Sequence, residues 1–239
     1  MTELPYRTRV ARQHLVPFRV KIHQTDLLIL AREDLTAAAT TAVLAARRGL
    51  EGYIAANPEF LETLSPWPAD PLAPPLVQAM IRAGQVAQVG PMAAVAGAIA
   101  QAVGRALQPA SPEIIVENGG DIYLCLAAPA TVAIYAGASP LSLKVGLHLP
   151  PEQTPVGICT SSGTVGHSLS LGRADAACVQ AAYTALADAA ATALGNRVKS
   201  PDHITPALEW LATLPGVQGG VVIVGDKLGA WGQVELRPV

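Results

Sequence analysis

Side chains able to do chemistry collect in one stretch, 157–196, which reads GICTSSGTVGHSLSLGRADAACVQAAYTALADAAATALGN. It opens on a glycine-punctuated loop carrying Cys159, Thr160, Ser161, Ser162, Thr164, His167 and Ser168. Hydroxyls and backbone N–H groups in such a loop, those of Ser161, Ser162 and Gly163 above all, suit an anion such as phosphate. The stretch closes on an alanine-rich helix whose only polar side chains between 186 and 194 are Asp188 and Thr192. Four residues apart, these two share one helix face. Sinking a lone carboxylate among alanines is costly unless something positive or hydrogen-bonding meets it. No Lys or Arg precedes Arg197 on that helix. Two readings follow: Asp188 and Thr192 hold a metal ion, or Asp188 accepts a loop N–H while Thr192 bonds back to a helix carbonyl. Magnesium, which needs only one or two carboxylates beside waters and phosphates, suits so sparse a set.

Cys159 and His167 admit the same division. A cysteine at the mouth of a polar loop, with a histidine eight residues on, allows a thiolate nucleophile and an acid–base partner. A buried strand cysteine and an ordinary loop histidine explain the same residues. Arg173 and Asp175 pair with each other, or Arg173 reaches a phosphate. A second segment, VENGGDIYL, places Asn118, Gly119, Gly120 and Asp121 between two apolar runs. Asn-Gly is a strong hairpin signal because both residues accept positive φ. The functional alternative lets a ligand approach Gly119 and Gly120 while Asp121 receives a hydroxyl or ring nitrogen.

The elements that must position these groups follow from periodicity. Alternating apolar residues predict strands over 15–22 and 26–31, with a turn at 23–25. A three-and-four spacing predicts a helix over 35–56, with Asp34 as N-cap. Prolines at 66, 68, 71, 74 and 75 forbid regular structure across 66–75. That segment is a stiff connection, or a lid with Trp67 as its apolar contact. Helices are predicted over 72–83 and 91–107, the second with proline at its first position. Strands are predicted over 113–117, 122–126, 131–136, 143–149, 156–160 and 174–180. After the Asp188 helix comes a helix over 205–214 capped by Asp202, then a hairpin of 220–224 with 230–236. Each half thus reads as strands, a pair of alanine-rich helices, and a glycine-punctuated hairpin. The pattern is an α+β fold of duplicated ββααββ units, with helix pairs covering antiparallel sheets. One domain over 1–239 is expected, made of pseudo-equivalent halves, 1–137 and 138–239.

Composition removes several classes of function. Net charge is −2 with no basic run, which disfavours a nucleic-acid partner. Three cysteines at unrelated spacings make neither a disulfide framework nor a zinc site. The run 91–107 carries Gln101 and Arg105 and is shorter than a membrane span, and the first residues lack an apolar leader. A cytoplasmic protein without a membrane partner is expected. Charged residues are only 14% against 51% apolar, so much surface is buried, in the fold or at the contacts of a homo-oligomer.

The string TSSG, then His167, then ADAAAT over 187–192 resembles the C-terminal signature of the ApbE-type FAD:protein FMN transferases, once described as thiamine-biosynthesis lipoproteins. VGPMAAVAGAIA, VENGGDIYL, CTSSGTVGHS and LADAAATALGN look closer to a non-exported branch of that superfamily. The resemblance implies a T-fold-like, ApbE-like architecture that binds FAD or a related nucleotide with Mg2+. It implies Asp188 and Thr192 as the metal positions and His167 as the histidine after the loop. Gly119, Gly120 and Asp121 become the dinucleotide-facing G-G-D segment, with the pyrophosphate on Thr160, Ser161, Ser162 and Gly163. The chain departs from the transferases in two places. Their lysine- and aspartate-bearing segment is replaced by residues 90–107, and their I-x-D-P-x-T-G run by SLSLGRADA. The non-exported branch also suggests a thiol chemistry linked to homocysteine synthesis, with Cys159 carrying a persulfide. A non-catalytic oligomeric relative is the third possibility.

Overall fold

Phe18 and Val20 are buried while Arg19 and Lys21 are exposed, the period of two expected for a strand with one wet face. In the computed structural model, which describes residues 14–164 and 171–239, this strand is β1, Val16–Ile22. It pairs through a His23–Gln24 turn with β2, Thr25–Ala31, and His23 takes φ 51° to make the turn. Four helices follow: α1 Thr36–Ala56, the short α2 Glu59–Glu62, α3 Pro75–Ala87 and α4 Val95–Leu107, the last entered by a 3-10 turn at Pro91–Ala94. Then come β3 Ile114–Asn118, β4 Asp121–Cys125, β5 Ala130–Ala133, β6 Val145–Leu149, β7 Val156–Ser161 and β8 Ala176–Ala181. The chain closes with α5 Thr184–Arg197, α6 Ile204–Leu211, β9 Val217–Val224, β10 Lys227–Gly232 and β11 Glu235–Pro238.

Eight strands form one sheet in the order β1-β2-β3-β4-β7-β8-β9-β10, every neighbouring pair antiparallel. Alternation along its inner strands divides the core in two. Cys159, Ala177, Val179 and Val222 face the helices, while Ile158, Cys178, Val221 and Ile223 face the other way. That second face is covered by a three-stranded sheet, β11-β6-β5, through Leu147 and Leu149. Both faces of the sheet's inner strands are therefore dry, and every residue of β3, Glu117 and Asn118 included, is buried.

The sequence expectations fare well for the strand pairs and helices. Two differences have clear physical causes. The expected strand 230–236 is two strands: Gly232, at φ 88°, turns the chain out of the large sheet, and β11 pairs with β6 in the small one. Asp202 does not cap α6, which starts after a 3-10 turn at Pro201–His203 with no side-chain cap. Asp34 is likewise not the N-cap of α1, which is Leu35; one residue ahead of it, Asp34 accepts the N–H and hydroxyl of Thr36 at 2.8 and 2.6 Å. The proline-rich connection is pinned rather than loose. Phe60 packs edge-on between Tyr53 and Trp67, with ring centroids 5.1 and 5.4 Å away, and the Trp67 N–H donates to the Tyr53 hydroxyl at 3.2 Å. Among the described residues no single helix is long and apolar enough to cross a membrane; α3 and the run through α4 pass that test only as a pair bent by 106°.

Small residues decide how closely α4 and α5 approach. A Cβ at Gly97 would lie 2.5 Å from the Thr184 carbonyl oxygen and 2.8 Å from Cβ of Asp188. At Gly52, on the exposed side of α1, a Cβ meets nothing within 4 Å. Helix propensity alone favours alanine at both sites. We expect Gly52→Ala to stabilise by up to about 1 kcal/mol. Gly97→Ala should destabilise by roughly 1–3 kcal/mol through overpacking. Urea midpoints at constant m-value check both.

Candidate functional site

The start of α5 rests on β7 because Gly157 has no side chain: a Cβ there would lie 2.4 Å from Cα of Thr184. The helix then runs along the strand, so that Gly195 near its end approaches Ser161. Asp188 lies between these points, buried at 9% exposure and turned toward α4. Its Oδ2 accepts the Gly97 N–H at 2.8 Å. Gly97 is the third residue of α4, so the carboxylate caps that helix from outside and meets the positive end of its dipole. The favour is returned. Gln101, one turn along α4, accepts the Thr184 N–H at the start of α5 at 2.6 Å. Each of the two helices is thus capped by a side chain of the other.

Asp121 opens β4 directly opposite Cys159 of β7, so both point into the helix-facing layer. Burial pushes its carboxyl up to about 7; the charge of Glu117 adds to this, and hydrogen bonds from the Cys159 thiol and the Thr160 N–H oppose it. Asp188 is held well above the usual carboxylate range, first by burial and then by the charge of Asp121, against the N–H groups of Gly97 and Ala96. The two acids therefore sense each other. None of the ion pairs among the described residues involves either. Asn118, the residue before the glycine turn, donates from Nδ2 to the Ala96 carbonyl at 3.0 Å and ties the hairpin to the same turn of α4.

The Cys159 thiol is fully buried and reaches the Thr184 carbonyl at 3.4 Å. Burial raises its pKa well above that of a free thiol, and the charges of Asp121 and Asp188 raise it further. A thiolate nucleophile needs the opposite surroundings. Cys178 is likewise buried, and its pKa is pushed up to about 12.

The glycine turn has the hairpin geometry: Gly119 and Gly120 take φ 69° and 107°, and the Gly120 N–H donates to Glu117 at 2.8 Å. A Cβ at Gly119 would meet nothing within 4 Å, so this tip is open to solvent or ligand. Thr160, Ser161 and Ser162 are half-buried at the end of β7. Their loop is not a free amide nest, since the Gly163 N–H is committed to the Ala174 carbonyl at 2.9 Å. The hydroxyls are the groups this loop has to offer. Thr192 is half-buried one turn beyond Asp188. His167 lies outside the described residues.

Asp121, Asp188, Cys159 and the Thr160 N–H are therefore brought together, with the Asn118–Asp121 turn on one side and the hydroxyl loop continuing from the same strand, while the Thr160 side chain lies on the other face beside Cys178. Sequence reasoning missed Gly97, Gln101, Asn118 and Glu117 as their partners. Gln101 carried a signal, being a lone amide in an alanine–glycine helix four residues after Gly97. Among the described residues no group of three His, Cys, Asp or Glu side chains is arranged to hold a metal. The acid pair does suit an ion that takes two carboxylates and fills its shell with water, phosphate or a hydroxyl such as that of Thr192, which is the habit of magnesium.

The family model described as "AbpE bacteria" matches residues 7–209. A UPF0280 protein of Methanocella arvoryzae is 42% identical over 217 residues, covering 90% of this chain and 88% of the relative. Another, from Methanosarcina acetivorans, is 44% identical over 199 residues, covering 82% and 78%. Among solved structures, the flavin transferase ApbE from Vibrio cholerae superposes with a TM-score of 0.60 at 13% identity, covering 91% of this chain and 96% of that one. The flavinyl transferase ApbE of Pseudomonas stutzeri, in its apo form, gives 0.58 at 12% identity, covering 91% and 94%. At these identities the likeness to the transferases is one of fold.

Two outcomes follow from the buried acids and thiol. Because folding raises the Asp121 pKa, the native state binds the proton more tightly than the unfolded chain, and stability falls as pH rises from about 4 through about 7. Asp121→Asn should therefore match the wild type near pH 4 and exceed it at pH 8 in chelator-treated protein, as read from urea melts. Cys159 should resist alkylation by iodoacetamide in the native state and react fully in urea, as read by mass spectrometry.

Proposed function

The chain belongs to the AbpE family of bacteria, alongside the UPF0280 proteins, and on that premise we propose that it binds FAD or a related nucleotide with Mg2+ and acts as a flavin- or nucleotidyl-type transferase. One observation carries this reading. Two buried carboxylates, Asp121 and Asp188, repel each other beside a run of hydroxyls, in a fold shared with flavin transferases. A divalent cation held by Asp188 and Thr192, with Asp121 facing it, relieves that repulsion. When bound, the ion supplies charge neutralisation at the phosphates.

The chain's own residues do the rest. Ser161 and Ser162 orient the pyrophosphate through their hydroxyls, while Thr160, whose side chain lies on the Cys178 face of the sheet, contributes its backbone N–H at Asp121. The open tip at Gly119 lets a ring approach the backbone, and Asp121 receives a polar group of the ligand. The alanines of α5 and the small residues of α4 exclude water behind the carboxylates. His167 is the candidate for handling the proton. Cys159 as a sulfur carrier is the weaker reading, because its thiol is closed off and held protonated.

The same reading treats the chain as a duplicated unit in one domain. β1-β2, helices and β3-β4 correspond to β7-β8, helices and β9-β10, an order consistent with two T-fold-like halves. The reciprocal caps of α4 and α5, each four residues beyond the N–H that the other satisfies, support that equivalence. A homo-oligomer belongs to this proposal, and a sedimentation mass of 24.6 kDa counts against it.

Binding is measured by equilibrium dialysis and thermal shift with FAD, FMN and AMP, with magnesium or with chelator. A ligand at a hundred times its Kd stabilises by about 2.7 kcal/mol, a readily measured rise in Tm. We expect that rise with FAD and magnesium together and not with chelator. Asp188→Asn keeps an acceptor for the Gly97 N–H while removing the charge, and should lose the magnesium-dependent part. A shift equally large in chelator, or unchanged in Asp188→Asn, refutes the metal assignment; no shift with any nucleotide refutes the reading as a whole.

A further inference from the structure

Asp175 lies just ahead of β8, outside the acid pair, and the sequence offers Arg173 as its obvious partner. The structure uses it differently. Its N–H donates to the Ile223 carbonyl at 2.9 Å, which fixes its backbone against β9. From that anchor its two carboxylate oxygens serve two different segments. Oδ1 accepts the Thr164 hydroxyl at 3.1 Å, and Oδ2 accepts the Gly225 N–H at 2.7 Å. Gly225 is the turn residue between β9 and β10, at φ 59°, and its carbonyl accepts the Ser139 hydroxyl at 2.6 Å. One side chain thus joins the hydroxyl loop to a rigid hairpin and, through that hairpin, to the segment between β5 and β6.

The loop depends on these contacts because the sheet stops holding it early. The last register pair of β7 with β8 is Ser161 with Ala177. Beyond it the fixed points include the Gly163 N–H on the Ala174 carbonyl at 2.9 Å and Thr164 on Asp175. The Ser162 hydroxyl accepts the Thr164 N–H at 3.1 Å, so holding Thr164 also holds Ser162. A charged acceptor makes the stronger kind of hydrogen bond.

We infer that Asp175 is a positioning residue: through Thr164 it sets where the Ser162 hydroxyl sits, and so tunes nucleotide affinity without touching the ligand. The effect on affinity rests on the flavin reading above; the effect on the loop does not. Asp175→Asn leaves one acceptor for two donors and turns an NH2 group toward the other. Thr164→Val removes the hydroxyl at nearly constant shape, and Thr164→Ser retains it.

The test uses the full chain with two readouts. Amide hydrogen exchange at Gly225 and Thr164 should rise in Asp175→Asn while Cys159 and Val179, in the β7–β8 ladder, stay protected. FAD affinity in magnesium should fall about tenfold in Asp175→Asn and in Thr164→Val, stay near wild type in Thr164→Ser, and fall no further in the double variant, as expected for one shared interaction. Unchanged exchange at Thr164 and Gly225 overturns the inference. So does faster exchange with wild-type affinity, which makes the contact purely structural. If the wild type binds no FAD, the flavin reading fails, and the exchange data alone decide whether Asp175 holds the loop.

Discussion

Two helix starts, each closed by a side chain of the other helix, hold the centre of this protein together. Asp188 of α5 accepts the Gly97 N–H of α4, and Gln101 of α4 accepts the Thr184 N–H of α5. Buried helix ends leave N–H groups that nothing in their own helix satisfies, and leaving one unmet costs about as much as a lost hydrogen bond. Reciprocal capping solves this at both ends while fixing the offset of the helices along each other. It works only because glycine at 97 lets the two backbones close to contact distance.

That arrangement sets the electrostatics of the candidate site. A carboxylate drawn inward to cap a helix is far from bulk water, and a second one, Asp121, enters the same layer from the start of β4. The dipole of α4 offsets part of the charge, since the Gly97 and Ala96 N–H groups lower the Asp188 pKa against its burial. It does not offset both acids, and their mutual repulsion makes a cation welcome. The same field favours the neutral sulfhydryl at Cys159, first through burial and then through its negative neighbours.

Around this centre the sheet acts as a ruler. Asp121 opposite Cys159 and Ser161 opposite Ala177 are register pairs, so a one-residue slip moves each side chain to the opposite face. The small sheet of β5, β6 and β11 prevents such slippage by burying the far face under Leu147 and Leu149. The Tyr53–Phe60–Trp67 cluster fixes the proline-rich connection on the helix side.

The sequence by itself determined the element pattern, because alternation and three-and-four spacing are properties of the local chain. It determined the Gly119–Gly120 turn, since only small residues tolerate positive φ twice in succession. It also singled out Asp188, an acid among alanines that needs a partner whatever the fold. What met that acid was decided in three dimensions: Gly97 lies 91 residues away in sequence, and a backbone N–H carries no sequence signature. The buried state of Cys159, the tie between Asp175 and Gly225, and the transfer of β11 to a second sheet are equally non-local. Each depends on which surfaces meet after the chain has folded, and hydrogen-bond partners separated by that much chain are chosen by packing rather than by spacing.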